Sequence, residues 1–368
     1  MQKSSVVTMS IPKPAFGVPA PWFKAPVLDG NPRYSFHTIA GRVAILFFMG
    51  SARDAAIKSA LDVLRASDCY EHSGVCLFAV THDPEDVSSG RIASGQYGVR
   101  YFLDYDRAIS TTYGACREGT DRYEAYIVVL DRQLRVAGRY TPSQAPEALA
   151  LAGRLIDEDR ADDWAPVLRI PRVLDRAMCR HLVDLYEADG GTESGFMRDV
   201  DGKTVSIIDH GHKRRSDYTI TDTELCRSLV GRINDCVRPA INLAFNFDAT
   251  RMERYIVACY DASVGGHFRR HRDNTTKGTA HRRFAVTINL NDEFDGGELR
   301  FPEFGTRTYR AEPGGAIVFG CGLLHEATPV TRGRRYAFLP FLYDDAAAAQ
   351  REANNVYLGE GVGAYRAG

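Results

Sequence analysis

The sequence has no C-x-x-C pair, no apolar run long enough to cross a bilayer, and almost no net charge. Its eight cysteines, Cys69, Cys76, Cys116, Cys179, Cys226, Cys236, Cys259 and Cys321, are scattered along the chain, which argues against a zinc knuckle or a paired dithiol. Buried free thiols in a reducing compartment are the expectation. The longest apolar run lies around Val43 to Met49, far short of the roughly 20 residues that span a membrane. The N-terminus, MQKSSVVTMSIPKPAFG, lacks the apolar segment of a secretory signal, so a cytoplasmic protein without a membrane partner is expected. A net charge of -1 gives no global reason to expect nucleic acid as a partner. The local basic clusters, Lys213-Arg214-Arg215 and Arg332 to Arg335, read as solvated turns or strand edges.

What is present is ordinary globular composition, 44% hydrophobic and 25% charged, over 368 residues, a length that suits two domains. The first half alternates short apolar runs with helical periodicity. Strands are expected at Val43 to Phe48, Val75 to Val80 and Tyr126 to Leu130, with Leu134 to Arg139 pairing back after a turn at Asp131-Arg132. Helices are expected at Asp54 to Ser67, Arg91 to Tyr97 and Pro146 to Asp159. This is an α/β layer pattern over residues 1–160, and the charged segment EDRADDW (158–164) reads as a linker. Residues 161–368 begin with helices at Leu174 to Ala188 and Asp222 to Val237. From Arg254 the texture turns to short strands: Ala285 to Leu290, Glu298 to Phe301, Tyr309, Ala316 to Phe319 and Tyr336 to Tyr343. The Gly-Gly pairs at 265–266, 296–297 and 314–315 punctuate them, the last two read as turn residues with positive φ. Helices packed on a barrel-like double sheet, an α+β arrangement, are expected here.

Within that strand-rich stretch stands His271-Arg272-Asp273. On an extended strand, side chains two apart share a face. A second imidazole, His325 in GLLHEATPV, follows the apolar run Ala316 to Phe319. Two imidazoles and one carboxylate form a facial triad with open coordination positions, the arrangement of non-haem Fe(II) oxygenases. Ten residues after His325 comes Arg335. A dicarboxylate that chelates a metal at one end needs a cation at the other, and the planar guanidinium fork meets a carboxylate bidentately. Arg334 is the rival for that role. His267 and His281 read as outer or strand-edge residues, His210 and His212 as part of a loop at the substrate entrance, and Cys321 as a small buried hydrophobe.

The stretches CYDASVGGHFRRHRDN, RRFAVTINLNDEFDGGELRFPEFG and EPGGAIVFGCGLLHEATPVTRGRRY resemble the prolyl 4-hydroxylase-type branch of the 2-oxoglutarate/Fe(II) dioxygenases, over a core of 166–345. The resemblance implies a double-stranded β-helix (jelly-roll) with flanking helices. It implies His271, Asp273 and His325 as iron ligands, Arg335 on the distal carboxylate of 2-oxoglutarate, and Tyr260 as a hydrogen-bond partner of that co-substrate. Where some relatives carry a further tyrosine this chain has Asn289, leaving Thr287 or Asn289 as the second contact. The implied cofactors are Fe(II), 2-oxoglutarate and O2, with ascorbate supporting the iron. The substrate of the best-known relatives is peptidyl proline; other peptidyl residues, amino acids and small natural products are equally compatible. Residues 195–217 are expected to overlie the pocket, with Arg215 or Asp217 in reach of substrate.

The first half, through GVPAPWFKAPVLDG, GRVAILFFMG, VCLFAVTHDPEDV, YFLDYDRAISTTYGA and YEAYIVVLDRQLRVAGRY, resembles the peroxiredoxin/thioredoxin-like fold. Those enzymes place a low-pKa cysteine after the first core strand, at a helix N-terminus. This chain has Gly50-Ser51-Ala52-Arg53-Asp54 there, and its first cysteine is Cys69. A redox-inactive module for scaffolding, substrate binding or homo-oligomer formation is expected. The competing classes are a thiol-based redox or oxygen/iron sensor, which would need Cys69, Cys76 or Cys116 to titrate, and a binding protein with vestigial metal ligands.

Overall fold

The computed structural model describes residues 13–70, 74–117, 121–158, 163–360 and 362–366. The N-terminal segment 1–12 and residues 159–162 of the expected linker lie outside the described residues. The chain divides into two compact units, Met1–Asp163 with Pro302–Gly305, and Trp164–Phe301 with Thr306–Gly368.

The first unit is built on a five-stranded sheet. Its strands are β1 (Val43–Gly50), β2 (Val75–Thr81), β3 (Val99–Leu103), β4 (Tyr126–Leu130) and β5 (Val136–Tyr140), in the order β3-β2-β1-β4-β5. β1 pairs in parallel with β2, and β2 with β3, while β4 runs antiparallel to β1 and forms a hairpin with β5. Every residue of β1, β2 and β4 is buried, which is why these strands read as continuous apolar runs rather than alternating ones. Helix α1 (Ala55–Arg65) starts where the Asp54 carboxylate accepts hydrogen bonds from the amides of Ala56 and Ile57. It buries Ala60, Leu61 and Leu64 in the same cluster that takes Ala145, Ala148 and Ala152 of α2 (Ala145–Glu158).

The helix expected at Arg91 to Tyr97 does not form. Gly90, Gly95 and Gly98 bracket and interrupt the segment at φ of 68, 108 and 74°, outside the helical basin. The preceding turn is instead tied by a buried carboxylate. Asp86 accepts from the Ala52 amide at 3.1 and 3.0 Å, from Thr81 Oγ1 at 2.6 Å and from Arg91 Nη1 at 2.6 Å. These bonds fix the turn between β1 and α1. Asp86→Ala leaves the buried Ala52 amide without its acceptor, while Arg91 keeps Asp83 and Glu85; it is expected to lower unfolding free energy by about 1–3 kcal/mol in a denaturant titration, against under about 1 kcal/mol for exposed Glu85→Ala.

In the second unit, antiparallel strands form two main sheets and a separate two-stranded hairpin. In chain order its elements are β6 (Val167–Ile170), α3 (Arg176–Asp189), the hairpin β7 (Phe196–Val200) and β8 (Lys203–Ile207), β9 (Lys213–Arg214), β10 (Ser216–Thr219), α4 (Thr223–Arg232), α5 (Arg238–Phe245), β11 (Arg251–Glu253), β12 (Ile256–Asp261), β13 (His267–His271), β14 (Phe284–Asn289), β15 (Leu299–Arg300), β16 (Thr308–Tyr309), β17 (Ala316–Gly320), β18 (His325–Ala327), β19 (Val330–Phe338) and β20 (Phe341–Tyr343). The larger sheet contains the order β11-β20-β14-β19-β12-β10, and β17 joins β14 to β6. The smaller sheet runs β9-β13-β18-β15-β16. Residues of both sheets line one cavity, the arrangement of a double-stranded β-helix. Leu182, Tyr186, Leu229, Ile233, Val237 and Ile241 of the helical segments share a core cluster with Val257, Val286, Ile288 and Phe338 of the larger sheet. Among the described residues no helix is long and apolar enough to cross a membrane.

Two elements and one glycine differ from the sequence reading. The helix expected to stop at Val237 continues through a π-turn at Ile233–Val237 into α5, and Pro239 falls in the first turn of α5, where its missing N–H is harmless. The strand expected over Tyr336 to Tyr343 is two strands, because Leu339-Pro340 breaks the ladder before β20. Gly296, Gly297 and Gly314 have positive φ as expected, whereas Gly315 does not.

Candidate active site

His271 and His325 face each other in register across β13 and β18 of the smaller sheet. Asp273 is not on the strand that the H-x-D spacing suggested. β13 ends at His271, and Asp273 sits in the following turn, its amide bonded to the Cys321 carbonyl at 3.0 Å. The turn nevertheless carries its carboxylate between the two imidazoles, Oδ1 at 3.5 Å from His271 Nε2 and Oδ2 at 3.3 Å from His325 Nε2. One ligand atom from each residue lies within 4.8 Å of the other two.

Backbone carbonyls hold both rings. His271 Nδ1 donates to the Arg269 carbonyl at 2.7 Å, and His325 Nδ1 to the Leu323 carbonyl at 3.0 Å. Each bond commits the Nδ1 proton outward and leaves the Nε2 lone pair toward the shared point. Burial, reinforced by His325, pushes the His271 pKa down to about 4, so its ring is neutral at ordinary pH. Burial opposes the charge on Asp273, but the two imidazoles hold its carboxyl well below the usual range. Two imidazole nitrogens and a carboxylate suit a divalent transition metal.

The cavity in front of these residues has a volume of about 60 Å³ and opens to solvent. Phe268, Leu299, Phe319, Ala327, Leu339 and Phe341 supply apolar wall. Arg335 enters from β19, in register opposite Tyr260 on β12. Its guanidinium is buried, 5.3 Å from the Tyr260 ring, and Nε donates to Asn289 Oδ1 at 3.2 Å. Among the described residues no carboxylate lies within ion-pair distance of Arg335, so a buried cation faces the cavity without an acid. Gly297 leaves room for its stem: a Cβ there would stand 3.0 Å from Arg335 Cδ. Arg334, the rival, is half-exposed and paired with Asp261 and Glu187.

Of the other expected contacts, Tyr260 and Thr287 line the cavity and Asn289 does not. Asn289 sits behind Arg335, its amide donating to the Ala311 carbonyl at 2.8 Å, so it orients the guanidinium. Cys321 is buried away from the cavity lining, where burial pushes its thiol well up. His210 is exposed beside Glu193, and His212 lies 6.5 Å, ring to ring, from His271. His267 bonds the Gly265 carbonyl. His281 is not at a strand edge in solvent: it is buried 3.1 Å from Glu253, which Arg282 and Arg351 also bind.

In the basic cluster at 213–215 only Arg214 is solvated as expected. Lys213 and Arg215 are 4% and 6% exposed. Arg215 bonds both oxygens of Asp217 at 2.7 Å and reaches toward Tyr260 Oη at 3.4 Å. Arg215 and Arg254 are both cavity-lining, and nothing in the sequence pattern marked Arg254. In the first unit Cys76 and Cys116 are buried, and burial raises the Cys69 thiol, the opposite of what a reactive thiolate needs.

Residues 255–343 match the 2OG-Fe(II) oxygenase superfamily. A PKHD-type hydroxylase of Synechococcus sp. (strain JA-3-3Ab) is 30% identical over 89 residues, 22% of this chain and 39% of that protein. The PKHD-type hydroxylase NE2125 of Nitrosomonas europaea is 30% identical over 110 residues, 27% of this chain and 48% of that protein. The chain thus spans less than half the length of these curated relatives. Among solved structures, a prolyl hydroxylase from Trichoplax adhaerens, in complex with a hypoxia inducible factor peptide fragment, aligns at a TM-score of 0.40 and 20% identity, covering 50% of this chain and 86% of that one. A Pseudomonas putida prolyl-4-hydroxylase aligns at 0.37 and 20%, covering 50% and 95%. Residues 255–343 are thus similar to a superfamily that uses Fe(II), 2-oxoglutarate and O2, and the His-Asp-His set lies within the matched residues.

Proposed function

We propose that this protein is an Fe(II)- and 2-oxoglutarate-dependent dioxygenase that hydroxylates a C–H bond of its substrate. His271, Asp273 and His325 would hold the iron. Arg335, with Tyr260 and Thr287, would hold the distal carboxylate of 2-oxoglutarate. One observation carries the reading: a single cavity has a metal-ligand set at one wall and a buried guanidinium without an acid at another. Iron with bound co-substrate supplies oxidative decarboxylation to succinate coupled to substrate oxidation. The residues of the chain do the rest. The Arg269 and Leu323 carbonyls fix the imidazole tautomers, Asn289 aims Arg335, and Phe268, Leu299 and Phe319 keep water from the reacting atoms.

The substrate class proposed at this level spans a prolyl or other peptidyl residue, an amino acid or a small natural product. Ascorbate support and a cytoplasmic location belong to the same proposal. We read the first unit as a thioredoxin-like module without thiol chemistry, serving scaffolding or self-association. Three parallel strands followed by an antiparallel hairpin, with Ser51 and Ala52 at the turn where a nucleophilic cysteine would stand, support that reading.

The test is anaerobic titration of the apo protein with Fe(II) and 2-oxoglutarate, followed by admission of O2. A visible metal-to-ligand charge-transfer band and then succinate are expected in the wild type. Neither is expected in His271→Ala. A wild-type protein that binds iron yet gives no band rules the proposal out.

A further inference from the structure

Arg254 is the cavity-lining residue with the least settled surroundings. It stands between β11 and β12 at a φ of 69°, in the left-handed region that a long side chain adopts only at a cost. That conformation turns its guanidinium to the cavity, 5.3 Å from the Phe341 ring. The neighbouring carboxylate in sequence, Glu253, is already engaged by Arg282, Arg351 and His281. The acid Arg254 does meet is Asp217, at 3.5 Å, and both oxygens of that carboxylate are taken at 2.7 Å by Arg215. At the cavity wall, then, two guanidinium groups share one carboxylate. Burial and the charge of Arg215 lower the Arg254 pKa to about 10, the signature of a cation short of counter-charge but still protonated at neutral pH.

The polar wall runs Arg254, Asp217, Arg215, Tyr260, Arg335. Arg335 closes one end and has no acid, which suits the co-substrate's distal carboxylate. Arg254 closes the other end with one unbalanced positive charge. A monovalent anion balances it, and the guanidinium fork matches a carboxylate. We infer that Arg254, backed by Arg215 and Asp217, is a second anion site of the cavity, and that the oxygenase substrate is a small molecule whose carboxylate sits there. The inference rests on the dioxygenase reading and narrows its substrate to carboxylic acids. Asp217 holds Arg215 and leaves Arg254 the weaker, displaceable contact, so an incoming carboxylate improves on what Arg254 has.

The experiment uses the full chain with Fe(II) and saturating 2-oxoglutarate under nitrogen. L-Amino acids and short straight-chain acids are titrated, each beside its primary amide, and followed by calorimetry and by the shift of the charge-transfer band. At least one acid is expected to bind about 10-fold or more tighter than its amide, the scale of one charge-assisted hydrogen bond. Arg254→Gln is expected to bring that ratio to about one, with the dissociation constant of 2-oxoglutarate moving less than about threefold, and Arg254→Lys to restore part of it. Lys also serves if the Gln variant does not fold by circular dichroism. The inference is overturned if no acid is preferred over its amide, if the preference survives in Arg254→Gln, or if that variant loses 2-oxoglutarate instead. Absence of the band in the wild type is a separate result, and falls on the dioxygenase reading.

Discussion

Asp273→Ala is expected to bring 2-oxoglutarate turnover to background and to abolish the charge-transfer band at iron concentrations that saturate the wild type. The carboxylate is the single negative charge among the three donors, and it sits between both imidazoles at 3.5 and 3.3 Å. Removing it leaves two neutral nitrogens, a site that must take a dication with no charge compensation. Loss of an outer-shell partner alone typically costs about 10–100-fold in metal affinity, so loss of a charged ligand should exceed about 100-fold. Asp273→Asn should fail nearly as badly, because the amide keeps the shape but not the charge. Misfolding is separable from ligand loss. His271 and His325 are each held by a backbone carbonyl and not by Asp273 alone, so the far-ultraviolet spectrum should be unchanged. His210→Ala, an exposed residue paired with Glu193, is the control and should stay within about twofold of wild type. Full turnover by Asp273→Ala would mean that the metal is held elsewhere.

How far the sequence carried this site depended on whether each residue's role was local. That the imidazoles stand opposite each other and Arg335 opposite Tyr260 is legible, because their spacing from strand signals is fixed by a ladder of hydrogen bonds. Asp273 does lie beside both imidazoles, but from a turn and not from the strand face that the H-x-D spacing implies. The burial of Arg215 and Lys213 is not legible, because charge in sequence says nothing about the Asp217, Ser194 and Gly195 atoms that compensate it in space. Arg254 was invisible for the same reason, and its positive φ is set by the β11–β12 junction. In the fold, apolar runs such as Val43 to Phe48 gave strands to within two residues because those strands are buried on both faces. The hairpin of β7 and β8 was missed although Asp201-Gly202, both at positive φ, is a recognised two-residue turn. Its half-exposed strands have no apolar run to draw attention.

Arg335→Met is expected to raise the KM for 2-oxoglutarate by about 30- to 5,000-fold, the equivalent of the roughly 2–5 kcal/mol lost when one partner of a buried, hydrogen-bonded charge pair is removed. The size follows from burial: Arg335 is 3% exposed, so water cannot replace its guanidinium. The loss should be specific to the distal carboxylate. 2-Oxopentanoate, which has the same chain length but no second carboxylate, should bind the variant no more weakly than it binds the wild type. Arg335→Lys, which keeps the charge and loses the fork held by Asn289, should fall between the two. A stability measurement tells this apart from a damaged fold. In the protein without co-substrate, Arg335 is a buried cation with no carboxylate within ion-pair distance among the described residues, and burial already lowers its pKa. Replacing it with an apolar side chain of similar length should therefore leave the melting temperature unchanged or raise it. The wild type should gain stability as 2-oxoglutarate is added and the variant should not, because only binding to the folded state shifts the melting temperature. A variant that melts lower but still responds to 2-oxoglutarate would assign Arg335 to the core and the co-substrate's carboxylate to another cation of the same wall.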